Sequence, residues 1–255
     1  MMNLENIAKA QGSHKKQRSK SPDGMLAVIF TASLLSYLPA CSSGPPVPDW
    51  QANARSSMER SIEAYLAGNA RVDAQEFTRA KSEVARTGRA DLMARIELMR
   101  CASQMASLAA QDCDGFERLR QDAAKPERVY ADYLAGKSPL VDVELLPPQH
   151  RAVAIATTDV IAAQALQTIA DPIAKLVAAG VIFRRGQASP VVISTAIDTA
   201  SAQGFRRPLL AWLGVQRLRA EKVGDSVEVA RIQRRISLVS DAPPVVVSPV
   251  PPTKP

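Results

Sequence analysis

The chain has 255 residues, of which 46% are hydrophobic but only 4% aromatic, and it carries a net charge of +7. The segment 1–40 contributes five basic and two acidic side chains, which leaves a net charge of +4 on the segment 41–255. No aromatic residues interleave with the arginines, so the composition argues against a nucleic-acid-binding protein. The chain is long enough to bury one substantial core or two small ones.

The segment 1–40 is organised like a secretory signal. Basic residues between Lys15 and Lys20 precede an apolar run from Met25 to Leu38, and the small residue Ala40 closes the segment. A helix as long as the apolar run covers roughly 21 Å, which is less than the ~30 Å hydrocarbon core of a bilayer. The pattern therefore favours a signal peptide that is cleaved off over a permanent membrane span.

The residues at the expected cleavage point, Leu38-Pro39-Ala40-Cys41, resemble the lipobox of bacterial lipoproteins. The resemblance implies cleavage between Ala40 and Cys41 and attachment of a diacylglycerol to the Cys41 sulfur. In that family an Asp directly after the lipidated cysteine retains the protein in the inner membrane. Ser42 stands at this position here, so the resemblance further implies a place on the periplasmic face of the outer membrane of a diderm bacterium. A triacylated cysteine holds a protein firmly, so the lipid is expected to be the whole membrane contact.

Lipidation of Cys41 leaves Cys101 and Cys113 as a single pair in an oxidising compartment, where disulfides persist. Twelve residues of continuous helix would hold their Cα atoms about 18 Å apart, whereas a disulfide needs them within about 7 Å. A bridge therefore predicts that the helix carrying Cys101 ends near Ala109 and that residues 111–114 turn back along it. Two thiols without a nearby histidine are a poor metal site, so neither a metal nor a cofactor is expected.

Hydrophobic periodicity predicts helices in most of the segment that follows. Asp49 is the expected N-cap of the first helix, and Gly68-Asn69 its end. Residues 140–146 alternate briefly, so a loop or a short extended segment is expected there. The other helices expected before this point are one that contains Phe77, Ala80 and Val84 and ends at Gly88, and three over residues 90–109, 115–124 and 126–135.

Proline at the first helical position marks several helix starts in the second half. Pro148 is expected to open a long Ala-rich helix that runs to about Ile169. The remaining expected starts are Asp171-Pro172, Ser189-Pro190, Pro208 and Asp225, the last with Glu228 in capping-box position. Without a multi-strand pattern, the fold is predicted to be all-α, with antiparallel helical hairpins stacked in layers.

Two segments resemble the tetratricopeptide repeat, in which a Gly-Asn or Gly-Asp turn joins two packed helices. The better copy consists of Tyr65-Leu66-Ala67-Gly68-Asn69 followed by Phe77 and Ala80, and the poorer copy of Trp212-Leu213-Gly214, Gly224-Asp225, Ala230 and Ile236. The resemblance implies tetratricopeptide-like helical hairpins.

The whole mature chain is also similar to a group of uncharacterised proteobacterial lipoproteins. The residues that carry this similarity are Tyr65–Asn69, Arg100-Cys101, Cys113 and the run from Gly204 to Gly214. That similarity implies no particular activity.

Domain organisation follows from these patterns. The signal peptide covers residues 1–40, and the lipidated cysteine with its tether covers 41–48. An α-helical domain is expected over residues 49–238, either as one unit or as subdomains 49–135 and 148–238. Residues 239–255 are expected to be a disordered, extended Pro-rich tail that is either passive or a docking peptide.

The mature chain offers few groups for catalysis. His150 is its one histidine and is expected to be an exposed residue at a helix start. No Gly-x-Ser-x-Gly, His-Glu-x-x-His or phosphate-loop motif occurs in the sequence. Glu97 is the best lone general acid, or else a surface residue or an ion-pair partner of Arg95 or Arg100. These patterns predict that the protein is not an enzyme.

Two functional classes remain. The first is a non-enzymatic scaffold or adaptor at the outer membrane that binds an unidentified envelope protein, with Phe205 or Trp212 as an anchor, although Trp212 is more typical of a core residue. The second is a peptidoglycan-acting enzyme, or its activator, that uses Glu97. A shallow apolar groove would favour the scaffold, and a deep polar groove around Glu97 would favour the enzyme.

Overall fold

The computed structural model describes residues 48–109, 112–137 and 141–241. These residues form helices, turns and loops without a strand, so the all-α prediction is confirmed. The leader with Ala40 and Cys41 lies outside the described residues, as does the segment from residue 242 onward, so the expectations about them stay predictions. Among the described helices, none is long and apolar enough to cross a membrane.

The described part contains eleven α-helices and one short 3-10 helix, at Val143–Leu145. The α-helices are α1 Asp49–Ala67, α2 Ala70–Ala85, α3 Ala90–Met105, α4 Asp114–Glu117, α5 Lys125–Leu134, α6 Pro148–Ala154, α7 Asp159–Gln167, α8 Pro172–Arg184, α9 Pro190–Ala202, α10 Arg206–Lys222 and α11 Ser226–Asp241. Residues 49–241 belong to one compact unit.

Two antiparallel hairpins form where the Gly-containing turns were predicted. Between α1 and α2, Gly68 adopts a φ of +85°, which an L side chain disfavours, and the Asn69 side chain accepts a hydrogen bond from the Val72 N–H. Between α10 and α11, Gly224 adopts a φ of +74°, and Asp225 Oδ1 accepts from the Glu228 N–H. Both turns combine a left-handed glycine with a capping side chain, which ends one helix and starts the next.

The long helix expected over residues 148–169 is wrong, because the chain breaks it into α6 and α7. The Thr158 side chain accepts a hydrogen bond from the Ile161 N–H and caps a new helix. At the preceding helix end, Arg185 Nη1 donates to the carbonyls of Val153 and Ala154 at 3.0 and 3.3 Å. A side chain 31 residues further along thus satisfies the carbonyls that a continuous helix would have bonded itself.

Other helix ends differ from expectation by smaller amounts. The third helix ends at Met105 rather than near Ala109, and only Asp114–Glu117 is α-helical within the segment expected as helix over 115–124. The helix expected to open at Pro208 begins two residues earlier, at Arg206, and the last helix continues to Asp241, past the expected domain end at 238.

Helix α3 lies at the centre of the stack and contacts α1, α2, α5 and α8. Gly180 lets α8 approach it closely, because a Cβ at that position would lie 2.4 Å from the Met105 carbonyl oxygen. The stack continues from α8 through α9 to the α10–α11 hairpin, and α1 contacts α10. The first hairpin and the last hairpin are therefore joined in one packed body.

Candidate functional site

A groove lies at the C-terminal end of the stack, where α9 begins and where α10 turns into α11. Its apolar lining comes from Pro190 and Ile193 on α9 and from Ala220 and Val223 at the end of α10, and it encloses about 590 Å³. Ile193 and Ala220 are buried, whereas Val223 is 78% exposed at the rim. We call this feature the terminal groove; its polar lining residues are Gln216, Arg219, Lys222, Asp225 and Glu228.

The terminal groove has charges of both signs at its rim. Asp225 and Glu228 lie at the start of α11, and Arg219 and Lys222 lie at the end of α10. The hydrogen bonds from Arg231 hold the pKa of Glu228 below its usual value, so this carboxylate is ionised at neutral pH. Such a rim suits a segment with an apolar centre and charged flanks.

Gln216 lines the terminal groove and ties the end of α10 to α11. Its Nε2 donates to Glu228 Oε1 at 3.2 Å, which fixes the direction of the amide. Its Oε1 is buried without a partner, and a buried polar atom without a hydrogen bond is costly. Since this oxygen is closed off from solvent, it is not a contact point for a ligand in the groove.

Two other cavities in the described part of the chain are polar. One lies beside Cys113, has a volume of about 630 Å³, and is lined largely by charged residues from Asp112 to Lys137 and by Arg184. The other lies between α1 and α2, measures about 420 Å³, and is lined by asparagine, serine, arginine and glutamate side chains. Protein-binding grooves and small-molecule pockets usually combine apolar walls with few polar groups, which favours the terminal groove.

The two aromatic anchors proposed from sequence do not lie in the terminal groove. Trp212 is fully buried; its Nε1 donates to the Ala106 carbonyl at 3.2 Å, and its ring packs edge-on against Phe183 at 5.8 Å between centroids. It is therefore a core residue and offers no surface to a partner. Phe205 is half-buried just before α10, at the opposite end of that helix from the groove.

Glu97 pairs with neither of the two arginines considered as its partner, Arg95 and Arg100. Lys81 Nζ donates to Glu97 Oε1 at 2.6 Å, and Glu97 packs against Gly115, where a Cβ would approach its carboxylate to 2.2 Å. Arg95 instead pairs with Glu127, and Arg100 makes a bidentate pair with Asp73. The Glu97 carboxylate is thus tied into the α2–α3–α4 contact, and it lines none of the three cavities described above.

The expectation that His150 is exposed is wrong. The side chain is fully buried on α6, with Nδ1 3.3 Å from the Tyr133 hydroxyl and with the Tyr130 ring 5.5 Å from its own ring, centroid to centroid. Burial lowers the pKa of His150 to about 3 and raises the pKa of Tyr130. The imidazole is neutral at physiological pH, and it is a core residue that reaches no cavity described above.

The predicted cysteine pair is confirmed. Cys101 and Cys113 are bonded, with their Cα atoms 5.6 Å apart. The chain leaves α3 through Leu108, the one described residue other than glycine with a positive φ, at +59°. This left-handed residue turns the chain at the helix end and allows Cys113 to return to Cys101.

Two segments singled out in the sequence, Tyr65–Asn69 and the run from Gly204 to Gly214, contact each other. The Arg207 guanidinium lies 4.4 Å from the centre of the Tyr65 ring, and its Nε donates to the Tyr65 carbonyl at 2.9 Å. Arg206 lies beside Gly68, 3.5 Å from the position of a Cβ. These residues join α1 to α10, so their role in the fold is to hold the first hairpin against the last.

Comparison with known protein families, with characterised proteins and with solved structures finds no match to this chain. The function is therefore inferred from the residues of the chain alone.

Sequence reasoning missed the terminal groove. Its walls come from three helices that begin or end at the same place, and no single periodic stripe contains Ile193, Gln216 and Val223. The last helix gives a partial signal, because Val227 and Leu238 are apolar but lie outside the face of α11 that packs against α10. Ten large apolar side chains are exposed in the described residues. Five of them belong to the segment from α9 to α11: Val191, Leu218, Val223, Val227 and Leu238.

Proposed function

We propose that this protein is a lipid-anchored lipoprotein at the periplasmic face of the outer membrane, where it acts as a non-enzymatic helical scaffold for an envelope protein. The observation that carries the scaffold is the terminal groove, which combines apolar walls with a charged rim. The partner is a protein that presents a segment with an apolar centre and charged flanks.

The anchor rests on the residues before the helical domain and on the cysteine pair. The Leu38–Cys41 box supplies the lipidation site, and the short tether from Ser42 to Pro48 leads directly into α1. The Cys101–Cys113 bond suits an oxidising compartment outside the cytoplasm.

The anchor is tested by Cys41→Ala. We expect this variant to move from the membrane fraction to the soluble fraction while it keeps its Cys101–Cys113 bond. A Ser42→Ala variant is the control, because it leaves the lipidated cysteine in place. Continued membrane association of Cys41→Ala would contradict the lipoprotein assignment.

The alternative, a peptidoglycan-acting enzyme or its activator, draws no support from Glu97, because Lys81 pairs with this carboxylate in a helix contact. The two proposals differ in which residues matter. A scaffold loses its partner when the terminal groove is altered, and it still binds the partner in a Glu97→Gln variant compared at the same level of folded protein. An enzyme that uses Glu97 loses its action on peptidoglycan in the Glu97→Gln variant.

A further inference from the structure

We propose that α11 makes a second membrane contact, in which its outward face lies on a phospholipid surface of net negative charge. This face is a stripe of four exposed residues, Val227, Arg231, Arg234 and Leu238, which we call the outer stripe. The contact goes beyond the scaffold, because it uses neither the terminal groove nor a protein partner. It adds to the lipid on Cys41, which the sequence alone predicted to be the whole membrane contact.

The outer stripe lies on the side of α11 that faces away from the helical stack. In a helix with 3.6 residues per turn, the side chains four, seven and eleven positions after Val227 point in nearly the same direction as Val227 itself. Ile232, the one buried residue of α11, lies on the opposite side, together with the half-buried Val229 and Ile236. Because α11 packs on α10 through that opposite side, the fold does not require the apolar residues of the outer stripe.

The two ends of the outer stripe are apolar. Val227 is exposed to 79% and Leu238 to 74%, and the helical rise places them about 16 Å apart along the axis. Both side chains would leave water if they entered the boundary between the lipid headgroups and the acyl chains. Two apolar side chains are too few for a protein interface, which commonly buries about 800 Å² per partner.

The net charge of the α10–α11 hairpin favours an anionic surface. Residues 206–241 carry eight basic and four acidic side chains, whereas the rest of the segment 41–255 carries 19 of each. The whole net charge of +4 on the segment 41–255 therefore belongs to this hairpin. Basic side chains near a membrane are attracted to its anionic headgroups over about one Debye length.

The acidic side chains of the hairpin leave part of its positive charge unpaired. Glu221 pairs with Arg217, and Glu228 pairs with Arg231. Asp225 caps α11, and the remaining acidic residue is the last residue of α11. Four basic side chains of the hairpin form no ion pair with the described residues: Arg219, Lys222, Arg234 and Arg235. Arg234 belongs to the outer stripe, where its guanidinium can donate two hydrogen bonds to one phosphate group.

A second copy of the chain fits the outer stripe less well than a lipid surface does. In a two-fold dimer the stripe would meet the same stripe, so Arg231 and Arg234 would face positive charges. Like charges in contact weaken an interface, whereas the phosphates of anionic phospholipids neutralise them. The arginines between two apolar ends therefore favour a lipid surface.

Sedimentation with vesicles tests this inference in the chain from residue 42 onward, which lacks the leader and the lipidated cysteine but keeps every described residue. We expect this chain to be a monomer in size-exclusion chromatography and to bind vesicles of phosphatidylethanolamine and phosphatidylglycerol. High salt is expected to release it, because salt screens the charges. Vesicles of phosphatidylcholine alone are expected to bind roughly tenfold less protein, since they carry no net charge.

Arg234→Gln is expected to lower the partition onto the anionic vesicles roughly fivefold, because it removes one positive charge at the surface. Arg118→Gln is the matched control, since Arg118 is exposed just after α4 and outside the hairpin. Leu238→Asn is expected to weaken binding by a similar factor. Its control is Val141→Asn, since Val141 is exposed to 96% outside the hairpin. Circular dichroism checks that all four variants remain folded, as expected for exposed side chains.

Failure to bind the anionic vesicles would overturn the inference, as would equal binding to both kinds of vesicle. Equal losses in a variant and its control would show that the outer stripe is not the contact. A dimer that Arg234→Gln or Leu238→Asn alters would assign the stripe to a second copy instead. Since neither a partner nor the acyl chain is present, these results are independent of the scaffold and of the anchor.

Discussion

Burial of His150 makes the stability of this protein depend on pH. Burial lowers the pKa of His150 from 6.5 to about 3 in the folded protein, whereas in the unfolded chain the imidazole returns to its ordinary value near 6.5. Between these two values the unfolded state binds a proton that the folded state does not. The free energy of unfolding therefore decreases as the pH falls through 6.5, and it continues to decrease until about pH 3.

The magnitude follows from the same two pKa values. Well below pH 6.5, each further pH unit costs about 1.4 kcal/mol until the folded-state pKa is reached, which gives a loss of about 2 kcal/mol between pH 7.5 and pH 5. Tyr130, Tyr133 and Arg185 do not change charge in this range. Burial raises the pKa values of Tyr130 and Tyr133, and Arg185 stays protonated although burial lowers its pKa.

Urea unfolding at pH 7.5 and pH 5, followed by tryptophan fluorescence, measures this loss. His150→Phe keeps an aromatic ring of similar size and removes the titration, so the wild type is expected to lose about 2 kcal/mol more than this variant on acidification. His150→Gln is a second non-titrating variant in case the phenylalanine fits poorly. If the wild type and the variants lost the same stability between the two pH values, the reasoning about His150 would be refuted.

Two further predictions concern the stability of the helical stack. Replacing Cys101 and Cys113 by serine is expected to cost about 3 kcal/mol in urea unfolding, because the bond closes a short loop of the unfolded chain; a loss below about 1 kcal/mol would contradict this role. Gly180→Ala is expected to lower the melting temperature, since its Cβ would lie 2.4 Å from the Met105 carbonyl oxygen. Gly214→Ala is the matched control on α10, where a Cβ meets no atom within 4 Å, and it should instead stabilise the protein by about 0.5–1 kcal/mol; equal shifts in both variants would show that the close approach of α3 and α8 was misjudged.

The features that the sequence predicted well are local ones. Side chains of Asp171 and Ser189 cap α8 and α9 as expected, each followed by proline at the first helical position. The turn at Gly68-Asn69 and the cap at Asp225 are likewise set by residues next to them in the chain. The Cys101–Cys113 pair was predicted because lipidation of Cys41 leaves only these two cysteines, and the bond in turn required the chain to turn between them.

The features that the sequence did not predict depend on residues far away in the chain. The break between α6 and α7 depends on Arg185, which donates to the carbonyls that end α6. The burial of His150 depends on two tyrosines of α5, and the pairing of Glu97 depends on Lys81 of α2. Hydrophobic periodicity contains no information on these pairings, since it reports only which face of an element is buried.

The groove escaped prediction for the same reason. Ile193, Gln216 and Val223 come together only because α9, α10 and α11 pack side by side with their ends aligned. The sequence offers Phe205 and Trp212 as anchors, but Trp212, which is more typical of a core residue, is buried inside the stack. A large aromatic residue in a chain with few aromatics is more readily used in the core than at a binding surface.

The most direct test of the scaffold is in-cell cross-linking of the tagged, lipidated protein, with mass spectrometry of the captured proteins. The wild type, Val223→Asp and Val227→Asp are compared at equal abundance in the membrane fraction. The account predicts that a specific envelope protein is captured by the wild type and by Val227→Asp and is lost from Val223→Asp. Capture of the same proteins by all three, or of abundant outer-membrane neighbours alone, would contradict it.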